Sequence, residues 1–256
     1  MPRYFLELAY KGTHYHGWQV QINATSVQEN LNKALSILCR TPIETVGCGR
    51  TDTAVHSSQF FAHFDCDLSL EEIEKLPHKL NAILNHDIII YQVIAVAENA
   101  HARFDATKRS YSYYISREKN PFLNEQTWYW SHALDINLMN EAASLLLHFD
   151  DYGCFSKSGG QQHTTICKIS EAKWIEKGNL LQFTISANRF LRGMVRAIVG
   201  TLIQVGDHKI TLQDFENIIK SQDRTKAGQS VPAEGLFLEE ICYPYIHSKR
   251  RSPFHP

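Results

Sequence analysis

Apolar and polar residues alternate through Arg3–Tyr10, with Tyr4, Leu6 and Leu8 on one side and Phe5, Glu7 and Ala9 on the other. That is the two-residue period of a β-strand. A loop with two glycines follows. Ser26 and Glu29 then have the spacing of a capping box, and Val27, Leu31, Ala34, Leu35 and Leu38 recur at helical intervals, predicting an amphipathic helix to about Cys39. Ile43–Cys48 reads as a strand, Gly49–Ser58 as a loop and Gln59–Cys66 as a second strand rich in aromatics. A second capping box, Ser69 with Glu72, opens a helix carrying Leu70, Ile73, Leu80 and Ile83, and Ile88–Val96 is strongly β-forming. The order is β-α-β-β-α-β.

From Arg109 the order repeats: a strand Arg109–Ile115, a helix from about Asn137 to Leu147, and a hairpin Thr164–Ala187 turning at Lys177-Gly178-Asn179. Helices Phe190–Val205 and Thr211–Lys220 and a closing strand near Leu236–Tyr243 complete a second split βαβ unit. The fold class predicted is α+β: two ferredoxin-like halves, residues 1–105 and 106–256, whose antiparallel sheets meet at a central groove, with helices packed on one face. Ligand sites commonly occupy such interfaces.

Composition narrows the class. The 256 residues are 43% hydrophobic and 21% charged, ordinary globular material with enough apolar side chains for a sizeable core. Net charge is −1, so any nucleic-acid surface must be a local patch. Met1–Gly12 lacks the apolar run of a signal peptide, and Leu191–Val205 is broken by Arg192 and Arg196 and too short to span a bilayer, so a cytoplasmic protein is expected. Six scattered cysteines without a Cys-x-x-Cys pair argue against structural zinc or a redox motif. The basic, proline-containing tail His247–Pro256 is expected to fray or to touch a partner.

Chemistry concentrates in three places. The loop Gly49-Arg50-Thr51-Asp52-Thr53-Ala54-Val55-His56 packs a cation, hydroxyls, a carboxylate and an imidazole between two strands. It is open to two readings, a catalytic loop or a plain turn in which Asp52 bonds nearby N–H groups and Arg50 is solvated. On the predicted helix from Phe190, Arg189, Arg192 and Arg196 form a stripe opposite the apolar face of Leu191, Val195, Ile198, Leu202 and Val205. Arg189 and Arg192 are either solvated or phosphate contacts. Arg196, flanked by Val199 and Ile203, calls for a carboxylate partner if buried, and Asp52 is the candidate. In Lys108-Arg109-Ser110-Tyr111-Ser112-Tyr113-Tyr114, Tyr111 and Tyr113 share one strand face, for core packing or for stacking on a base. Phe190 joins Tyr111, Arg189, Arg192, Lys108 and Arg109 as candidate substrate contacts, with Arg250 and Arg251 as further phosphate candidates. His14 with His16, and His63 with Cys66, fall short of a metal set, so no metal is expected. Three functions fit these residues: an RNA-modifying enzyme resting on Asp52, a non-catalytic RNA-binding protein, and a small-molecule hydrolase with Asp52 as nucleophile.

The loop GRTDTAVHS resembles the GRTDAGVH signature of the TruA-type tRNA pseudouridine synthases. Tyr10-Lys11-Gly12-Thr13 to Gly17-Trp18-Gln19 is similar to the family's YDGT…GWQ segment, and Ser26–Glu29 to its SVQE helix start. Asn81-Ala82 with Asp87-Ile88, His101-Ala102-Arg103-Phe104, Ala187-Asn188 with Met194-Val195-Arg196 and Val199-Gly200, Asp223-Arg224, and Pro232-Ala233-Glu234-Gly235-Leu236 match further segments in order. The resemblance implies isomerisation of uridine to pseudouridine at positions 38 to 40 of the tRNA anticodon stem-loop, by a homodimer needing no cofactor. It assigns Asp52 as the catalytic carboxylate, Arg50 beside it, Tyr111 as the active-site tyrosine and Arg196 as the partner of the aspartate. Two departures stand out: Thr53-Ala54 replaces the family's Ala-Gly, and Asn85 replaces a proline. A glycine lost at position 54 matters if the backbone there needs positive φ.

Overall fold

The computed structural model describes residues 1–157, 164–247 and 249–254. In chain order its strands and α-helices are β1 (Arg3–Tyr10), α1 (Val27–Cys39), β2 (Val46–Gly47), β3 (His56–Asp65), α2 (Leu70–Ile83), β4 (Ile88–Val96), β5 (Lys108–Ser116), β6 (Trp128–Tyr129), α3 (Ile136–Leu145), β7 (Ile169–Lys177), β8 (Leu180–Ala187), α4 (Met194–Gly206), α5 (Leu212–Ser221) and β9 (Leu236–Cys242). Mixed strands and five helices are consistent with the α+β class expected. The chain folds as two compact units, one of residues 1–107 with 237–256 and one of residues 108–236.

In the first unit the strands run in the order β4-β1-β3-β9, with β2 beside β3. β1 is antiparallel to both β3 and β4, β2 is antiparallel to β3, and β9 lies parallel to β3 with His56 opposite Phe237. Both predicted capping serines do their work: the Ser26 and Ser69 hydroxyls accept the N–H groups of Glu29 and Glu72. Trp18 stacks on Phe60 at 4.2 Å between ring centres, in a core that also buries Phe5, Phe61 and Phe64. Glu7 is buried as well, its carboxylate accepting from Gln59 Nε2 at 2.9 Å and Gln92 Nε2 at 2.6 Å. On α2 only Leu76 and Leu80 are buried, so the face predicted from Leu70, Ile73 and Ile83 is looser than its spacing implied.

In the second unit β8 lies between β5 and β7, and the short β6 runs parallel to β5. The β7–β8 hairpin turns where expected, with Gly178 at φ +58, as the first position of a mirror-image turn requires. α5 is closed by a capping box of Thr211 and Asp214. The predicted helix from Phe190 does not begin there. Gly193 sits at φ +71, outside helical backbone, and α4 starts at Met194. All of α4 except Arg196 and Gln204 is buried, so its flanks are protein on nearly every side rather than one apolar face and one arginine face.

The tail was expected to fray or to touch a partner, and its described residues pack on the first unit. Arg250 and Arg251 pair with the buried Glu239 and Glu7 of the first unit, while Ser248, His255 and Pro256 lie outside the described residues. Among the described residues no helix is long and apolar enough to cross a membrane.

Both units close an outer strand with the same device. From α2, Asn81 donates Nδ2 to the Ile90 carbonyl at 2.8 Å and accepts the Ile90 N–H at 2.7 Å. From α3, Asn140 does the same for Trp174, at 3.1 and 2.8 Å. Each carboxamide satisfies the backbone pair that an edge strand leaves unbonded at a buried residue. Asn81→Ala and Asn140→Ala should each cost about 2 kcal/mol by orphaning two buried backbone groups. The measurement is the denaturant midpoint of unfolding, and unchanged midpoints in both variants would deny the asparagines this role.

Candidate active site

Asp52 lies in a four-residue turn closed by the Val55 N–H donating to the Asp52 carbonyl at 3.2 Å. Ala54, third in that turn, has φ +62, the sign a type II turn demands at this place and normally fills with glycine. The departure noted in the sequence therefore falls on a position that does need positive φ, and the alanine adopts it.

A second segment clamps the turn from one side. The Trp18 N–H donates to the Thr51 carbonyl at 3.3 Å, the Ala54 N–H to the Tyr15 carbonyl at 3.3 Å, and the Gly12 N–H to His56 Nδ1 at 3.0 Å. Tyr10 and Thr51 share a hydroxyl bond of 3.0 Å. Contact is so close that a Cβ on Gly12 would stand 2.0 Å from the Val55 carbonyl oxygen, and one on Gly17, itself at φ +87, 2.2 Å from that of Thr51. The N–H groups of Ala54 and Val55 are thus bonded to backbone carbonyls, which leaves the plain-turn reading of Asp52 without these two donors. Thr51 and His56 are buried, Asp52 is half-buried, and Arg50 is exposed.

In the second unit Tyr111 is half-exposed on β5, opposite Ile185, while Tyr113 and Tyr114 are buried. Strand alternation puts Tyr111 and Tyr113 on one face as expected, but only Tyr113 is core. The Tyr111 ring meets the half-exposed Phe190 edge-on, 5.1 Å between centres at 88°. The Tyr113 hydroxyl donates to the Pro232 carbonyl at 2.9 Å. Burial holds this phenol well above its usual range, reinforced by the charge of Glu234 and opposed by that of Arg196.

Arg196, in the first turn of α4, is half-buried rather than enclosed, and its Nε donates to the Val231 carbonyl at 2.7 Å while the Val231 N–H donates to the Arg196 carbonyl at 3.2 Å. The segment that meets it lies tight on the helix: a Cβ on Gly200 would stand 1.9 Å from the Gln229 carbonyl oxygen. This segment leads into the Pro232–Leu236 motif, whose link to Arg196 no spacing rule could have revealed.

Arg189 and Arg192 precede the helix, so the three arginines do not form a helical stripe. They sit on a loop whose Asn188 carbonyl accepts Arg109 Nη1 at 2.9 Å. Lys168 is bonded to Asn188 through backbone and side chain, and the Lys157 N–H donates to the Arg192 carbonyl at 3.0 Å. Sequence reading had no signal for these two lysines. Arg250 and Arg251, offered above as phosphate contacts, instead give guanidinium donors to Glu239 and Glu7.

Of the histidines suggested by the metal reading, His14 and His16 are exposed, and His63 Nδ1 accepts the Ala102 N–H at 3.1 Å. Desolvation holds His63 down to about 4. Among the described residues no three His, Cys, Asp or Glu side chains gather as a metal site.

Residues 142–244 match a family model described as tRNA pseudouridine synthase. A tRNA pseudouridine synthase A of Bacteroides fragilis is 49% identical over 245 residues, covering 95% of this chain and 97% of that protein. Its counterpart from Parabacteroides distasonis is 46% identical with the same coverage, and that from Clostridium acetobutylicum 38% identical over 93% of this chain and 98% of its own length.

Ala54→Gly should stabilise the protein by about 1 kcal/mol, the usual penalty for an L-residue at positive φ. Thermal unfolding should rise by about 2–4 °C. A fall in the midpoint would mean that the alanine methyl makes packing that outweighs the backbone strain.

Proposed function

The chain belongs to the tRNA pseudouridine synthase A family, and from that premise we propose that it isomerises uridine at positions 38, 39 and 40 of the tRNA anticodon stem-loop, with Asp52 as the catalytic carboxylate. Family membership makes it an isomerase acting on tRNA and removes the non-catalytic and hydrolase readings. The observation that carries the assignment of Asp52 is its turn, in which neighbouring N–H groups are bonded by backbone carbonyls and the carboxylate-bearing residue stands half-buried on a clamped support.

The reaction breaks N1–C1′, turns the base, bonds C5 to C1′, moves the C5 proton away and leaves N1 protonated, with no change in oxidation state. Cleavage builds positive charge at C1′, as in glycoside hydrolysis, and an ionised carboxylate can stabilise or capture it. In this reading Arg196 is the cation that keeps Asp52 ionised and orients it. Supporting the ferredoxin-like description of the first unit is its order β4-β1-β3 with β2 outside β3. Tyr111, the half-exposed member of its strand, stacks on the uracil with Phe190 at its edge and assists removal of the C5 proton.

A target base in a stem must be extruded first, and Arg50, exposed beside Asp52, is placed to fill the space left behind. Arg189 and Arg192, with Lys108 and Arg109, contact phosphates, and Lys157 and Lys168 join them through the loop bonds described above. The protein works as a cytoplasmic homodimer without metal or cofactor.

Asp52→Asn should lower pseudouridine formation by about 10²–10⁴-fold or more while tRNA still binds. Tritium release from C5-labelled tRNA measures it, and full turnover would strip Asp52 of its role. Arg192→Ala should weaken tRNA binding and make log affinity less steep in log salt by roughly one unit. An unaltered slope would remove Arg192 from the phosphate contacts.

A further inference from the structure

We propose that the C-terminal strap, residues 249–254, is a positioning element for the Asp52 turn, acting through the ring stack Phe254–Phe237–His56. The strap is anchored at two buried carboxylates. Arg250 donates Nε at 3.0 Å and Nη2 at 2.6 Å to Glu239, whose side chain is fully buried. Arg251 donates Nε at 3.0 Å to Glu7, and its guanidinium lies 3.8 Å from the centre of the Tyr91 ring. Buried carboxylates need such partners, so the strap is held by charge in a place where water competes poorly. Backbone bonds fix its course: the Arg251 N–H donates to the Glu239 carbonyl at 3.2 Å, Gln59 Nε2 to the Lys249 carbonyl at 3.0 Å, and the Ser58 hydroxyl to the Arg251 carbonyl.

Beyond this anchor Phe254 sets its ring edge-on against Phe237, 5.8 Å between centres at 71°. Phe237 in turn lies nearly face to face with His56, at 4.5 Å and 24°. His56 Nδ1 accepts the Gly12 N–H at 3.0 Å, Gly12 abuts the Val55 carbonyl, and the Val55 N–H closes the turn on Asp52. Five successive contacts therefore lead from Phe254 to the backbone of the aspartate. Through these rings Phe254 fixes the imidazole plane and, through it, the clamp. Misplacement of a reacting group by about 1 Å costs up to about a hundredfold in rate, so slack at His56 should be visible in turnover.

The inference rests on the reading of Asp52 as the catalytic carboxylate, and its test separates the two. In the full chain with tRNA, Phe254→Ala should lower kcat about tenfold, leave KM within about twofold, and keep the unfolding midpoint. The Gly12 amide should exchange its hydrogen faster, and Phe254→Trp, which restores a ring, should recover most of kcat. Unchanged kcat, a rise in KM alone, or a loss of kcat with no change in Gly12 exchange and no rescue by tryptophan would overturn the role of the strap. Asp52→Asn with full turnover would sink the underlying assignment, whereas Gly12 exchange reports the strap's hold on the turn without reference to activity.

Discussion

Where Gly12 and Gly17 lie against the carbonyls of Val55 and Thr51 there is no space for a methyl group, and the candidate site follows from that contact. Two backbones brought this close can exchange hydrogen bonds, so the Trp18, Ala54 and Gly12 N–H groups are all bonded across the junction. A turn supported in this way needs little from its own side chains. The Ala54 and Val55 N–H groups, donors that a turn aspartate commonly takes, are bonded to the carbonyls of Tyr15 and Asp52. The same support lets an alanine occupy position 54 at positive φ, a conformation that the surroundings impose on it.

Charge burial is the second organising constraint. Glu7 and Glu239 are almost fully enclosed, and each is met by an arginine from the tail, Glu7 also by the amides of Gln59 and Gln92. Burying such groups singly would be strongly unfavourable, and pairing converts the cost into a requirement that the tail be present and in register. Two arginines that a sequence reader assigns to phosphate are thus committed to buried carboxylates of the first unit. The basic groups around Asn188 differ, since their loop is organised by backbone bonds and by the Asn188 side chain.

Much of this was legible in the chain. The capping box at Ser69, the N-cap of Ser26, the hairpin turn at Gly178, and the strand Ile88–Val96 appeared as read, because each is set by local chemistry that tertiary contacts did not override, while Glu29, expected to complete a box with Ser26, pairs with Lys33. The helix start at Met194 was missed since Phe190–Gly193 fits the apolar period, and only the positive φ of Gly193 breaks it. Strand Ile43–Cys48 shortened to Val46–Gly47, where pairing to β3 is confined to two residues. The motifs around Asp52, Tyr111 and Arg196 were visible as residue types. Their supports were not, because Val231 against Arg196 and Tyr15 against Ala54 are contacts between segments far apart in the chain, made through backbone atoms that carry no sequence signature.

The first unit is assembled from two stretches of chain with the whole of the second unit between them. On a ribosome, residues 108–236 emerge in one piece and can reach their compact state while the amino-terminal stretch still lacks β9 and the residues after it. During that interval His56 has no ring to lie against, and Glu7 has no arginine. The first unit is therefore complete only once residues 237–254 have packed back onto the stretch that precedes the second unit.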